Sequence, residues 1–294
     1  MNPAQVDLVS SLLRVLVYAG FVMVAGTLVF WSLVWPAGQA DERLRRLLGG
    51  GTIVLALASL LGLLLPWWVR GGDLFSSLGR EDGVAVLVRV AVLVVLAGFL
   101  ADFTASPVVR VRRVVALAVV AVVAVTLVVQ SNAVEGDWQA VKVAATIGHL
   151  FATAGWLGGL VALAVVIIPQ ENVAVLDEVI PRFSTLAFVS VVLLVVTGTA
   201  HALAVSDGVD ALLSSSYGLV FMVKALLFAV MLLLGNHGRR YAGEVTFRRL
   251  NSPERIALSP GVHALAVVMG AELATAFAVL GTTAILVLVA PPPA

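Results

Sequence analysis

Six ionisable side chains stand inside long apolar stretches of this sequence: Arg14, Arg89, His149, His201, Lys224 and Glu272. A charge surrounded by hydrocarbon is costly, so residues of this kind mark ligand sites, ion paths or proton relays. Two imidazoles at similar depth on consecutive stretches suit a shared metal ion. Three fixed cations suit an anion clamp for ligand carboxylates or for Glu272, while long basic side chains can also snorkel to the headgroups. Glu272, with Met269 one turn earlier, suits a metal contact or a coupled proton. Trp156 follows His149 by seven residues and shares its helical face, as does Thr153. At about 1.5 Å per residue, the first five ionisable groups are expected in one layer, about 6–13 Å below the outer surface. Glu272 is expected near mid-membrane.

The elements that must carry these residues follow from composition. The chain has 294 residues, 61% hydrophobic and 12% charged, with mean hydropathy +1.09 and no Cys. So little polar surface cannot solvate a soluble domain. Without Cys there is no disulfide framework, zinc–thiolate site or iron–sulfur cluster held by thiolates. A formal net charge of +1 gives no footprint for nucleic acid. Roughly eight apolar runs are long enough to cross a bilayer, near 7–35, 47–69, 83–102, 114–130, 141–168, 183–205, 218–235 and 262–289. The expected fold is an all-α polytopic membrane protein, its first run an uncleaved span rather than a leader.

Basic residues set the expected orientation. Arg43, Arg45, Arg46, Arg110, Arg112, Arg113, Arg182, Arg239, Arg240, Arg248, Arg249 and Arg255 fall in alternate connections. Those connections are expected to be cytoplasmic, with both termini outside and the protein in the cytoplasmic membrane. Trp67–Trp68 and Trp31/Trp35 are expected as interfacial anchors, and His237 and His263 as solvated at cytoplasmic helix ends.

The two halves also match. GTLVFWSLVWP (26–36) parallels GLVALAVVIIP (159–169), and Gly83 to Arg89 parallels Gly218 to Lys224. Four spans in each half give both the same orientation, so halves 1–135 and 136–294 are expected to be related by an axis along the membrane normal. Gly155 and Gly159 form a GxxxG that admits a close helix.

The order His149-x6-Trp156-x-Gly158-Gly159, Arg182-Phe183-Ser184-x-x-Ala187, Thr197-Gly198, Tyr217-Gly218-x5-Lys224 and Asn236-x-x-Arg239 resembles the copper-resistance protein D (CopD) family. That resemblance implies copper transport or resistance, with His149 and His201 as metal ligands. It also implies an extracytoplasmic copper-binding partner protein. A transporter is expected rather than an enzyme. No phosphate-binding loop occurs, so movement is expected to be passive or ion-coupled, with Glu272 the first candidate for the proton. The His-x6-Trp and Gly-x5-Lys pattern is also similar to HemJ-type membrane proteins. That similarity implies haem b with His149 axial, Lys224 or Arg89 on the propionates, and a membrane oxidoreductase.

Overall fold

The computed structural model of the chain describes residues 3–70, 78–98, 109–131, 137–170, 172–206, 209–251 and 260–288. Among them every regular element is a helix. We number these α1 (Pro3–Val29), α2 (Glu42–Arg70), α3 (Glu81–Gly98), α4 (Val109–Val129), α5 (Gln139–Thr153), α6 (Val173–Ala204), α7 (Val209–Ser214), α8 (Ser216–Asn251) and α9 (Pro260–Leu288). Helix α1 runs on through a π turn, Phe30–Val34, and α5 through two, Ala154–Gly158 and Leu163–Ile167. Six of these rods are long and apolar enough to cross a membrane: Gln5–Val34, Glu42–Val69, Arg110–Val129, Gln139–Gln170, Ala174–Ala204 and Ser216–Asn236. Helix α3 falls short by composition, because its 18 residues include Glu81, Asp82 and Arg89. The outward faces carry Ile53, Val94, Phe188 and Leu226, all exposed, as lipid-facing surfaces do. The chain is a multi-pass membrane protein.

The expected runs coincide with the rods, but two boundaries move. Helix α6 begins ten residues before the apolar run at 183, because Asn172 caps it: its Oδ1 accepts from Ala174 N at 3.1 Å and Val175 N at 3.4 Å. Arg182 therefore sits within α6 rather than ahead of it, paired with Glu178 one turn earlier at 2.7 Å. Helix α8 continues to Asn251, well past the apolar run that ends near 235. Asp41 caps α2 in the same manner, accepting from Arg43 N at 2.9 Å and Leu44 N at 3.1 Å.

Helix α1 is the central post, packed against α2, α4, α9 and the first π turn of the α5 rod. Its crossing with the α5 rod is a contact of two glycines. A Cβ built on Gly26 would collide with Gly158 Cα, and one on Gly158 with Gly26 Cα. Gly155 and Gly159 serve another neighbour: they face Ser190 and Phe183 of α6. The close approach expected of that GxxxG is thus to α6, while Gly158 makes the approach to α1. Past the crossing, Asp41 Oδ2 accepts from Gln170 Nε2 at 2.7 Å, and Arg182 Nη1 donates to Val34 O at 3.3 Å. The first bond ties the end of the α5 rod to the cap of α2, and the second ties α6 to the end of the α1 rod.

The π turns Phe30–Val34 and Leu163–Ile167 occupy matching places in the two Gly-to-Pro segments, and a 3-10 turn begins at or beside the proline in each. In the first, Trp35 N donates to Phe30 O at 2.9 Å, the i to i+5 bond of a π turn. Trp31 is 1% exposed and donates through Nε1 to Gly38 O at 3.1 Å; Trp35 is 7% exposed. Both expected anchors are core residues, since the wide turn rotates them inward. Trp67 and Trp68 are exposed, as expected.

Candidate functional site

The second half encloses a cavity of about 190 Å³ between α5, α6, α8 and α9. Helical spacing supplies its walls. His149 and Trp156 come from the α5 rod, and Gly198 leaves room on α6, its nearest neighbour being His149 Cε1 at 3.4 Å from a built Cβ. Lys224, Phe228 and Met231, at i, i+4 and i+7, present one face of α8. Trp156 and Phe228 close the cavity edge to face, with centroids 5.4 Å apart and planes at 84°.

Two reciprocal His–Thr pairs join α5 to α6 at the level of this cavity. His149 Nδ1 lies 3.1 Å from Thr197 Oγ1, and His201 Nδ1 lies 3.3 Å from Thr146 Oγ1. Each threonine already spends its one proton on a carbonyl a turn earlier: Thr197 on Leu193 O at 2.6 Å, Thr146 on Lys142 O at 2.8 Å. His201 also bonds to the Lys142 backbone; at His149 the Thr197 oxygen is left to accept, and the imidazole donates to it through Nδ1–H. That fixes the tautomer and leaves Nε2 with a free lone pair, the state in which histidine binds a metal. A hydrogen-bonded second shell of this sort orients the ring before any ligand arrives.

The expected single layer of cations and imidazoles is in fact divided laterally. His149, Trp156 and Lys224 meet in the second-half cavity, whereas Arg14 and Arg89 line a separate cavity in the first half. Depth along a helix follows from residue number, but which way a side chain faces does not. Arg89 does not snorkel: it is 1% exposed and bonded to Ser59, Thr126 and Gln130. His201 occupies the neighbouring His–Thr rung and does not line the cavity. Glu272 is buried on α9 against Gly235 of α8, where a built Cβ would come 2.6 Å from its Oε1. The side chains of His237, His263 and Met269 lie outside the described residues. Among the described residues no three His, Cys, Asp or Glu side chains converge as a metal site. Met231 and Phe228 are cavity residues that the sequence reading passed over, although their spacing from Lys224 marks them.

A model of the family described as copper resistance protein D (CopD) matches residues 177–286. That segment contains Thr197, Gly198, His201, Lys224, Met231 and Glu272, with His149 upstream of it. The copper transport protein CutJ of Bacillus subtilis (strain 168) is 26% identical over 250 residues, covering 76% of this chain and 44% of that protein. Copper resistance protein D of Pseudomonas syringae pv. tomato is 29% identical over 210 residues, covering 69% of this chain and 67% of that protein. This chain thus matches less than half the length of the first relative. No solved structure matches it. The family match runs through three of the four helices that wall the cavity, and over that segment the chain is similar to the copper-resistance protein D family.

Proposed function

We propose that the chain carries copper across the cytoplasmic membrane, with His149 Nε2 as the ligand that receives the ion in the second-half cavity. The observation that carries this reading is the Thr197-fixed tautomer of His149 in a cavity that also contains the Met231 thioether. Imidazole and thioether together suit copper. His201 stands one rung nearer the start of α5 and hands the ion on to His149. Met231 is seven residues beyond Lys224, about 10 Å further along α8, and Glu272 faces Gly235 about 6 Å beyond Met231. This order makes an axial path, with Glu272 as the acid whose proton is exchanged. An extracytoplasmic copper-binding protein delivers the ion.

Within this reading eight helices span the bilayer, both termini outside, since the basic residues crowd alternate connections. Residues 1–135 and 136–294 form two halves about an axis along the membrane normal. The matching π turns and the glycine crossing support that relation. Rocking of one half on the other about this crossing alternates access to the path. The cavity of about 190 Å³ falls below the roughly 300 Å³ at which small-molecule pockets begin, which favours an ion over a haem as its occupant.

The protein purified in detergent and loaded with Cu(I) should hold about one copper per chain by elemental mass spectrometry, and no iron. Iron in place of copper, with a Soret band, would overturn the copper reading. Lys224 sets a positive charge in the same cavity. A second unit charge within about 8 Å costs roughly 2 kcal/mol at an effective dielectric near 20. Lys224→Met is therefore expected to tighten Cu(I) binding by tenfold or more, measured by competition with a chromophoric chelator. Unchanged or weaker binding would remove the lysine from the electrostatics of the ion's site.

A further inference from the structure

The first half holds a larger cavity, about 410 Å³, at the end where α1 begins, α2 ends and α3 begins. Among the described residues three arginines line it, Arg14, Arg80 and Arg89, and one acid, Asp82. Arg80 and Asp82 are exposed at the rim, while Arg89 is buried at the base. Every acceptor that Arg89 has is neutral. Its Nε donates to Thr126 Oγ1 and its Nη1 to Ser59 Oγ, both at 2.9 Å. Its Nη2 donates to Thr126 O at 2.9 Å and to Gln130 Oε1. The ion pairs among the described residues lie elsewhere, Arg46 with Glu42 and Arg182 with Glu178, so the charge of Arg89 has no carboxylate beside it.

Arg14 sharpens the imbalance. It is half-buried, and its Nη1 is closed off from solvent with no hydrogen-bond partner. Tyr18 follows it by one helical turn and faces the same space. A guanidinium donor shut away from water and left unbonded is strongly unfavourable, and a second uncompensated guanidinium behind it adds to the cost. An oxyanion in the cavity offsets this charge, taking N–H bonds from the part of the Arg14 guanidinium that lines it and drawn by the fixed charge behind. Leu13, Val17, Leu63 and Leu127 add apolar wall beside the polar Ser10, Ser59 and Gln130, so the occupant need not be charged throughout. The volume lies within the range of small-molecule pockets, about 300–1,000 Å³, and exceeds that of the His149 cavity.

We propose that this first-half cavity binds the phosphate or carboxylate group of an anionic ligand, held by Arg14 and attracted by the buried charge of Arg89. It stands independently of the copper path, with which it shares no lining residue.

The test uses the full chain in a non-ionic detergent after lipid removal. Two probes are titrated, inorganic phosphate and short-chain phosphatidylglycerol, and binding is read by calorimetry and by the shift in thermal unfolding. At least one probe is expected to bind saturably, and Arg14→Gln to weaken it by tenfold or more. Arg14→Lys, which keeps the charge but loses the planar fork, should fall between. Binding of phosphatidylglycerol alone assigns the site to a lipid headgroup; binding of phosphate assigns it to a soluble anion. Failure of both probes, or equal binding by wild type and Arg14→Gln, overturns the proposal. Cu(I) binding measured on the same samples should be unchanged in Arg14→Gln, which separates this result from the fate of the copper reading.

Discussion

Replacing His149 with alanine is expected to lower Cu(I) affinity by more than about 100-fold, because among the described residues no other imidazole lines that cavity. The histidine is held by one bond, from Nδ1 to Thr197, so the second shell can be removed separately. Thr197→Val keeps the shape and removes the acceptor. The ring is then free to turn and to exchange tautomers, and a loss of 10–100-fold is expected, as is common when a ligand's outer partner is lost. His201→Ala removes the neighbouring rung rather than the cavity ligand, so it should slow copper uptake by cells more than it weakens binding at equilibrium. Chelator competition on purified protein and copper accumulation in cells read these effects separately. Equal affinity in wild type and His149→Ala would sink the assignment.

The largest effect on stability is expected at the crossing of α1 with the α5 rod. Gly26 and Gly158 meet backbone to backbone, so a methyl group at either has no flexible neighbour to push aside. Gly158→Ala should force the rods apart and cost about 2–3 kcal/mol, at the upper end of overpacking penalties. The lesion would also spread, since beyond the crossing Asp41 bonds to Gln170 at the end of the α5 rod and Arg182 of α6 bonds to Val34 at the end of the α1 rod. Gly49→Ala is the matched control: nothing lies within 4 Å of its built Cβ, and removing a glycine from a helix interior should gain about 0.5–1 kcal/mol. Opposite shifts of the unfolding midpoint in detergent are the expected result. A Gly158→Ala protein as stable as wild type would show that the rods can separate freely.

Much of this architecture is legible in residue order because hydrocarbon length is a strong constraint. Each of the eight apolar runs falls on a long helix. What composition cannot reveal is where a helix ends once it leaves the apolar region. Helix α6 starts at the side-chain cap of Asn172 and α8 persists through an arginine-rich stretch, both outside their apolar runs. The site divides in the same way. His149, Trp156 and Lys224 come from two short motifs and line one cavity, but the arginines at similar depth belong to another. Residue number gives depth; azimuth depends on how neighbouring helices pack. Trp31 and Trp35 show the cost of judging an aromatic by its position near a helix end, for a π turn places both in the core.

That turn also means the number of residues matters here independently of their kind. A π turn takes up one more residue than an α turn, and each residue advances a helix by about 100°. Deleting one residue from Phe30–Val34 would restore regular winding and leave composition almost untouched. Everything before it would then be rotated by about 100° relative to the Asp41–Gln170 tie. The face bearing Arg14 and Tyr18 would swing away from α2 and α3. Helix α1 is therefore geared as well as packed, and an insertion or deletion there would be felt as a slipped tooth, where most substitutions at its lipid-facing positions would pass unnoticed.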